Sequence, residues 1–364
     1  MTIAAIGTMK GLFFIEGAEL RGPYFPDERV PAVSITPEGR VIAASVSMHW
    51  GPTVRRSEDF GRTWTEHDER VIAFPEGLEW TDLWANKTQP AAVVQVWQIH
   101  DTGPDGDDVV YAGTEPAALF KSTDGGRSFE LVRSLWDHPH REQWYPGGGG
   151  LGLHTILIDP RDRDKLHVAI STGGVYRSDD GGKTWDPRNK GIASPGGPDP
   201  YPEYGQCVHK IGRDADNPDV LYAQNHGGLY RSDDRGDQWN DIAKGVPSDF
   251  GFPIVVHPHK GRTAYVIPLS FEQGRIVPDA EPKVWRTTDG GDSWHALSNG
   301  LPDRAYLTVL RDGFCHDGGD PLGLWFGART GHVFHSADEG DTWRTAAEFL
   351  PDVLVVRATA NATT

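Results

Sequence analysis

The stretch Ser178-Asp179-Asp180-Gly181-Gly182-Lys183-Thr184-Trp185 decides the fold of this 364-residue chain. It reads as a hydroxyl residue, an acidic or small residue, Asp, a variable residue, Gly, two variable residues and an aromatic residue. The pattern recurs at intervals of about 50 residues, which is typical of a propeller or another repeat array. The copies are at 57–64, 122–129, 178–185, 232–239, 287–294 and 336–343.

The residues around the 178–185 copy predict that each repeat is a four-stranded antiparallel unit. The predicted strands are 154–159, 165–171, 174–177 and 183–186, and the copy of the motif forms the last turn. Its Asp can accept hydrogen bonds from turn amides, its Gly permits positive φ, and its aromatic residue packs beneath the hairpin. We therefore interpret the motif as a structural staple and not as a catalytic device.

The two ends of the chain are predicted to share one blade. Residues 353–358 form an apolar strand with no motif after it, whereas 3–8 and 11–15 resemble second and third strands with no first strand. Joined, they complete a seventh blade, split between about 1–25 and 352–360, and closure removes exposed sheet edges. We predict one all-β domain, a seven-bladed β-propeller of four-stranded antiparallel blades over 1–364. The first strand of its last complete blade is predicted at 306–311.

Composition limits the classes of partner. The chain has 52 acidic and 35 basic residues and a net charge of -17, which disfavours nucleic acids and anionic membranes as partners. Cys207 and Cys315 lie far apart and suggest neither a disulfide framework nor metal spacing. No signal-peptide pattern or long apolar run is present. We expect a cytoplasmic protein, unless a leader has been removed.

The repeats resemble the Asp-box, or BNR-repeat, propellers, which include sialidases, two-propeller xyloglucanases, sortilin-type receptors and photosystem II assembly factors. The resemblance covers nearly the whole chain and implies the propeller fold, but it does not select an activity, because this fold hosts both enzymes and receptors. Sialidases of the group carry three substrate-binding arginines and an early Arg-Ile-Pro motif. Here Arg275-Ile276-Val277-Pro278 comes late and has an extra residue, and we expect few arginines near the channel. A true sialidase is therefore not favoured.

The long connecting segments point to one face of the propeller. If each first strand runs from top to bottom, the Asp-box motifs lie at the bottom, and the links between blades lie at the top. The long segments 66–90, 132–152, 187–204 and 270–283 then all fall at the top. Because functional residues concentrate on such loops, we predict the functional surface there.

Side chains at the ends of first and second strands are expected to surround the channel at the top. Carboxylates and imidazoles serve as acids and bases, imidazoles also bind metals, and arginine binds anions. The predicted catalytic residues are Glu115, Glu272, His154 and Arg329; the ligand-binding residues are His49, Trp50, Trp144, Tyr145, Gln206 and Lys10; and the metal ligands are His49, His154, His209 and His226. Each has a structural alternative: a hydrogen-bonded histidine, a solvated acid, a neutralising base, or an aromatic residue that pins the loop at 147–150.

Three functions remain open from the sequence. A glycoside hydrolase-like protein would bind or cleave a carbohydrate-like or other small polar ligand, with Glu115 and Glu272 flanking the bond. A metal-dependent hydrolase or lyase would use the channel histidines and a divalent metal ion. A non-catalytic propeller would instead offer a surface to a protein partner, like the photosystem assembly factors.

Overall fold

The computed structural model describes residues 2–65, 71–103, 108–194 and 199–360. In these ranges, seven antiparallel sheets surround a central axis as the blades of a propeller. The first strand of each blade contacts the first strand of the next blade, and the ring closes on itself. The seven-bladed all-β prediction is confirmed.

The strands follow one order in every blade, with the first strand innermost. Blade 1 contains β1 (Ile3–Thr8), β2 (Gly11–Glu16), β3 (Glu19–Tyr24) and, as its first strand, β29 (Val353–Thr359). Blade 2 contains β4 (Arg29–Ile35), β5 (Val41–Ser47) and β6 (Gly51–Ser57), with a single further bridge between Arg56 and Thr65. A separate hairpin of β7 (Glu79–Asp82) and β8 (Lys87–Pro90) follows.

The remaining five blades each have four strands. Blade 3 contains β9 (Gln95–Asp101), β10 (Val110–Glu115), β11 (Ala118–Ser122) and β12 (Glu130–Leu131), and blade 4 contains β13 (Leu153–Asp159), β14 (Asp162–Ile170), β15 (Gly174–Ser178) and β16 (Asp186–Pro187). Blade 5 contains β17 (Val208–Arg213), β18 (Leu221–Asn225), β19 (Leu229–Ser232) and β20 (Asn240–Asp241). Blade 6 contains β21 (Gly251–Val256), β22 (Ala264–Pro268), β23 (Val284–Thr287) and β24 (His295–Leu297), and blade 7 contains β25 (Phe314–His316), β26 (Leu324–Gly327), β27 (Val333–Ser336) and β28 (Arg344–Ala347).

Helical structure in the described ranges is confined to short connecting segments. Helix α1 spans Arg133–Trp136, and 3-10 turns span Arg141–Gln143 and Pro278–Ala280. No helix in the described part of the chain is long and apolar enough to cross a membrane.

The two chain ends close the ring as predicted. Strand β29 pairs antiparallel with β1, from Ile3 opposite Thr359 to Thr8 opposite Val353. Strand β1 in turn pairs with β2 over its whole length. Pairing of β29 with β1 therefore supplies the first strand of blade 1.

The Asp-box motif forms the predicted staple. In blade 4, the hydroxyl of Ser178 accepts the Gly182 amide at 2.8 Å and donates to Asp180 Oδ1 at 2.9 Å. The same carboxylate accepts the Thr184 amide at 2.9 Å and the Thr184 hydroxyl at 2.6 Å. The motif joins the third and fourth strands, so it tightens a turn at the bottom of the blade.

One predicted strand is wrong. Residues 306–311 are irregular, and the first strand of blade 7 is Phe314–His316. The Leu307 carbonyl accepts the amide of Val277, and the Thr308 carbonyl accepts the amide of Arg329. The backbone of this segment is therefore used to hold the blade 6 insertion and a blade 7 loop, so it does not pair as a strand.

The apolar core lies between blades. Seven clusters of buried side chains each join two neighbouring blades, including one between blades 7 and 1. Burial of apolar surface between blades stabilises the ring as one unit.

Candidate functional site

A cavity of about 610 Å³ opens at the top of the propeller, around the axis and opposite the Asp-box turns. Its volume lies within the range of roughly 300–1,000 Å³ that is usual for small-molecule sites. Its walls come from the first strands, the loops after the second strands and two long insertions. They include Met9, Arg29, Gln95, Trp97, 147–149, Thr172, Cys207, His209, His226, Phe250, Phe252, Arg275, Arg311, Asp312, Arg329 and Leu354.

Backbone bulges near the top of the first strands direct side chains toward the axis. In blades 3, 5 and 1, the register of the first strand slips by one residue at Trp97, His209 and Leu354, respectively. Each of these side chains lines the cavity. Because a bulge commonly re-aims a side chain, the wall is built from residues that regular pairing would point elsewhere.

Four arginines, Arg29, Arg275, Arg311 and Arg329, face this cavity. Arg329 pairs with Asp352 at 2.8 Å, whereas the other three form no ion pair within the described residues. Arg311 donates from Nε to the His209 carbonyl at 3.1 Å, and its guanidinium lies 4.8 Å from the centre of the Trp97 ring. Burial lowers the pKa of Arg311 from its ordinary value, but the group stays charged at neutral pH.

Glu115 lies directly behind Gln95 and Trp97. Its Oε2 accepts the Gln95 amide at 2.9 Å and the Trp97 indole N–H at 3.1 Å. Burial raises the pKa of Glu115, although these hydrogen bonds act in the opposite direction. Glu115 is therefore a carboxyl group whose neutral form is favoured relative to an exposed glutamate.

The glycines at 147–150 and 152 allow the loop that contains them to lie close against Glu115 and Trp97. A Cβ atom on Gly150, where φ is +106°, would lie 2.1 Å from a Glu115 carboxylate oxygen. A Cβ on Gly152 would lie 2.4 Å from the Trp97 indole nitrogen. Only glycine permits this approach, so the loop seals one wall of the cavity.

Asp312 forms part of the cavity wall near the axis. Lys210 Nζ donates to its Oδ1 at 2.5 Å, and Arg357 also contacts Oδ1, while Oδ2 makes no hydrogen bond with the described residues. Burial would raise the pKa of Asp312, but the charges of Lys210 and Arg357 outweigh it and hold that pKa well below its usual range. Asp312 is therefore ionised and is already paired with two cations.

A possible metal-ligand group lies on the blade 5 wall. The ligand atoms of Cys207, His209 and His226 all lie within 4.8 Å of one another. A thiolate with two imidazoles is a donor set that suits a thiophilic divalent metal.

The structure brings several of the predicted residues together. Arg329, His209 and His226 line the cavity, and Glu115 lies behind its wall. Two of the four predicted metal ligands, His209 and His226, are therefore neighbours. Their roles remain predictions.

The other predicted residues lie outside the cavity wall. His154 is completely buried, with Nε2 2.9 Å from the Val208 carbonyl and Nδ1 3.1 Å from the Thr155 hydroxyl. The Gln206 amide donates to the Pro202 carbonyl at 2.6 Å. The Trp144 indole donates to the Tyr176 hydroxyl at 2.9 Å. These contacts correspond to the structural alternatives.

The remaining predicted residues are on the exposed top rim. His49 and Trp50 lie on the β5–β6 turn, and Lys10 pairs with Asp27 at 3.0 Å. Tyr145 is half-exposed, and its ring centre lies 6.4 Å from that of Trp84. Glu272 is exposed in the blade 6 insertion.

Sequence reasoning identified Arg329 but missed the other three cavity arginines and the Cys207 thiol. The expectation of few arginines near the channel is wrong, because the blade 6 insertion and the irregular segment before β25 bring Arg275 and Arg311 to the axis. No local pattern marks these residues. The Cys207-x-His209 spacing is not a signal of the kind that strand alternation gives, because Cys207 precedes β17 and His209 lies in its bulge.

Comparison with known proteins agrees with the fold. The BNR/Asp-box repeat model matches residues 176–187. Xyloglucanase Xgh74A of Acetivibrio thermocellus is 27% identical over 199 residues, which cover 50% of this chain and 21% of the relative. The chain thus spans about a fifth of the length of this relative.

Solved structures show the same architecture. The GH74 xyloglucanase of Xanthomonas campestris matches with a TM-score of 0.62 and 17% identity, over 95% of this chain and 52% of that chain. YCF48 bound to D1 peptide matches with a TM-score of 0.53 and 16% identity, over 87% of this chain and 81% of that chain. These likenesses establish the propeller fold, and one of its repeats matches the BNR/Asp-box model.

Proposed function

We propose that the protein binds a small anionic ligand of the carbohydrate class, such as a uronic acid or a sugar phosphate, in the top cavity. The observation that carries the proposal is a set of three arginines on one cavity, Arg29, Arg275 and Arg311, which form no ion pair within the described residues of a chain whose net charge is -17. Arginine in such a setting is suited to bidentate binding of carboxylate or phosphate.

The chemistry of the walls supports a ligand with a ring. Trp97, Phe250 and Phe252 line the cavity, and the apolar face of a sugar ring packs well on aromatic side chains. The xyloglucanase relatives act on a carbohydrate, as their names state, which supports the same ligand class for this chain.

Binding measurements with matched ligands test this proposal. Glucuronate and glucose 6-phosphate are compared with glucose by calorimetry at fixed ionic strength. We expect the two anions to bind and glucose to bind at least tenfold more weakly. Equal affinity for glucose and glucuronate would overturn the proposal.

Variants assign the binding to the cavity. Arg275→Gln and Arg311→Leu each remove a charged hydrogen-bond donor, and we expect each to weaken anion binding by about 10- to 100-fold, corresponding to roughly 1.5–3 kcal/mol. Arg304→Gln is the matched control, since Arg304 lies against Tyr306 outside the cavity. Arg275 is exposed, so its variant tests binding without a change in the buried core.

A second candidate is hydrolysis of a glycosidic bond. It is favoured by Glu115, a carboxyl group held beside the cavity wall by Gln95 and Trp97, whose pKa is raised by burial as suits a general acid. Glu115→Gln is expected to lower kcat on a cleaved uronide with an alkyl leaving group, which must be protonated as it departs, by about 100-fold or more, within the range for loss of a general acid, with little change in KM. An unchanged kcat would exclude Glu115 as the acid.

A further inference from the structure

Three donor side chains meet on the blade 5 wall of the cavity. Cys207 and His209 lie two residues apart at the start of β17, and His226 directly follows β18. The His226 amide donates to the Cys207 carbonyl at 2.9 Å, which fixes the two segments side by side. Backbone pairing, and not side-chain contact alone, therefore sets the arrangement.

His209 is oriented as a metal-binding histidine. Its Nδ1 lies 2.5 Å from the Gly251 carbonyl, which can only accept a hydrogen bond, so Nδ1 carries the proton. Nε2 then presents its lone pair toward Cys207 Sγ, 3.6 Å away. A backbone carbonyl that fixes the tautomer through the second ring nitrogen is the usual support of a metal-bound imidazole.

His154 provides an internal contrast. It occupies the equivalent bulge of blade 4, but both of its ring nitrogens contact protein atoms, the Val208 carbonyl and the Thr155 hydroxyl. At His209 the second nitrogen, Nε2, instead faces the Cys207 sulfur, which is itself a metal donor. The difference separates a structural histidine from a candidate metal ligand at the same place in the fold.

The distances suit a tetrahedral ion. Zinc binds thiolate sulfur at about 2.3 Å and imidazole nitrogen at about 2.0–2.1 Å, which places the two donor atoms roughly 3.5–3.6 Å apart at a tetrahedral angle. Cys207 Sγ and His209 Nε2 are separated by 3.6 Å. The His226 ring makes no hydrogen bond with the described residues and lies 5.5 Å, centre to centre, from the His209 ring, so a small inward rotation completes the set.

The residues around the three donor side chains restrict their motion and leave the coordination site open to the cavity. Phe250 and Phe252 contact the His209 ring, and Phe250 and Phe271 contact the His226 ring, which restricts both imidazoles. Burial raises the pKa of the Cys207 thiol, and the nearby charges of Arg311 and Arg275 offset only part of that rise. The two arginines also repel a dication. An anion or hydroxide in the open fourth position offsets that repulsion.

We propose that Cys207, His209 and His226 bind one zinc ion, with the fourth position facing the cavity. The thiol proton of Cys207 is released to solvent on binding, and the sulfur and the two imidazole nitrogens form the bonds to the metal. The site does not depend on the identity of the cavity ligand, so it stands apart from the anionic-sugar proposal.

Titration of the chelator-treated full chain with Co²⁺ and with Zn²⁺ tests the site. We expect one equivalent of Co²⁺ to produce a thiolate-to-metal charge-transfer band in the near-ultraviolet, and one equivalent of Zn²⁺ to abolish it. Cys207→Ser is expected to remove the band. His226→Ala is expected to weaken zinc binding by about 100-fold or more, since even outer-shell changes cost roughly 10- to 100-fold.

Two control variants locate the site. Cys315→Ser removes the other cysteine, which is buried in blade 7, and His295→Ala removes an exposed histidine of the outer strand β24. Both are expected to bind Co²⁺ and Zn²⁺ as the unmodified chain does. Absence of the charge-transfer band in the unmodified chain, or its persistence in Cys207→Ser, would overturn the proposal, whatever the result with glucuronate.

Discussion

Replacing Asp180 with alanine tests whether the Asp-box motif is only a staple. The Asp180 carboxylate accepts four hydrogen bonds, from the Ser178 hydroxyl, the Lys183 amide, and the amide and hydroxyl of Thr184. Because the turn is at the surface, water replaces part of each bond, and we take about 0.5 kcal/mol for each, the lower end of the usual range. The variant should therefore lose about 2 kcal/mol of stability.

That loss corresponds to a small but measurable change in melting temperature. With an unfolding entropy of about 2.1 cal/mol/K per residue over 364 residues, 2 kcal/mol lowers the Tm by about 3 °C. Differential scanning fluorimetry and urea unfolding at pH 7 measure the change. Anion and zinc binding should be the same as in the unmodified chain, because the motif lies at the end opposite the cavity.

The effect should depend on pH in one direction. The hydrogen bonds from Thr184, with those from Ser178 and Lys183, lower the pKa of Asp180 to about 2 from 3.8. Because the folded-state pKa is the lower one, the stabilisation is complete above pH 4 and is lost as the pH falls through about 2. The stability difference between the two proteins should therefore be constant from pH 8 to 5 and shrink below pH 4.

The neighbouring residue supplies the matched control. Asp179 forms surface ion pairs with Arg177, at 3.0 Å, and with Arg235, and its side chain is 43% exposed. Such pairs contribute about 0–1 kcal/mol, so Asp179→Ala should change stability by less than Asp180→Ala. Equal destabilisation by the two substitutions would refute the staple, and loss of ligand binding by a fully folded Asp180→Ala would refute its separation from the site.

Three further substitutions and one truncation test the scaffold. Gly113→Ala places a Cβ 2.2 Å from the Leu153 carbonyl of the next blade and should destabilise the chain by about 1–3 kcal/mol in urea unfolding. Gly148→Ala is the control and should be near neutral, because its Cβ would lie in ordinary contact, 3.9 Å from Arg275 Nη2. Lys210→Met leaves Asp312 with Arg357 as its remaining ion-pair partner and should lower the free energy of unfolding by about 3 kcal/mol in the same assay. An unchanged free energy of unfolding would mean that the Lys210–Asp312 ion pair is dispensable. Removal of residues 353–364 deletes β29, so β1 then presents an open edge. We expect this truncated protein to be aggregated in size-exclusion chromatography. A monomeric product that unfolds cooperatively would refute the proposed role of β29 in closing the ring.

The sequence by itself determined the repeat and the closure of the ring. The Asp-box turn is a local device, because the side-chain hydrogen bonds of Ser178 and Asp180 join residues no more than four positions apart, as between Ser178 and Gly182. The apolar strands and the two incomplete chain ends can likewise be recognised from the sequence alone. For these reasons the number of blades and the strand pairing from Ile3 to Thr8 follow from the sequence.

Only the tertiary structure decided the composition of the cavity. Register slips at Trp97 and His209 aim side chains at the axis, and the irregular segment containing Arg311 crosses from blade 7 to contact blades 3 and 5. No local pattern encodes where seven blades meet, since that position depends on the packing of every blade against the next. The same packing buries His154 and leaves His209 facing the cavity, although both were equal candidates in the sequence.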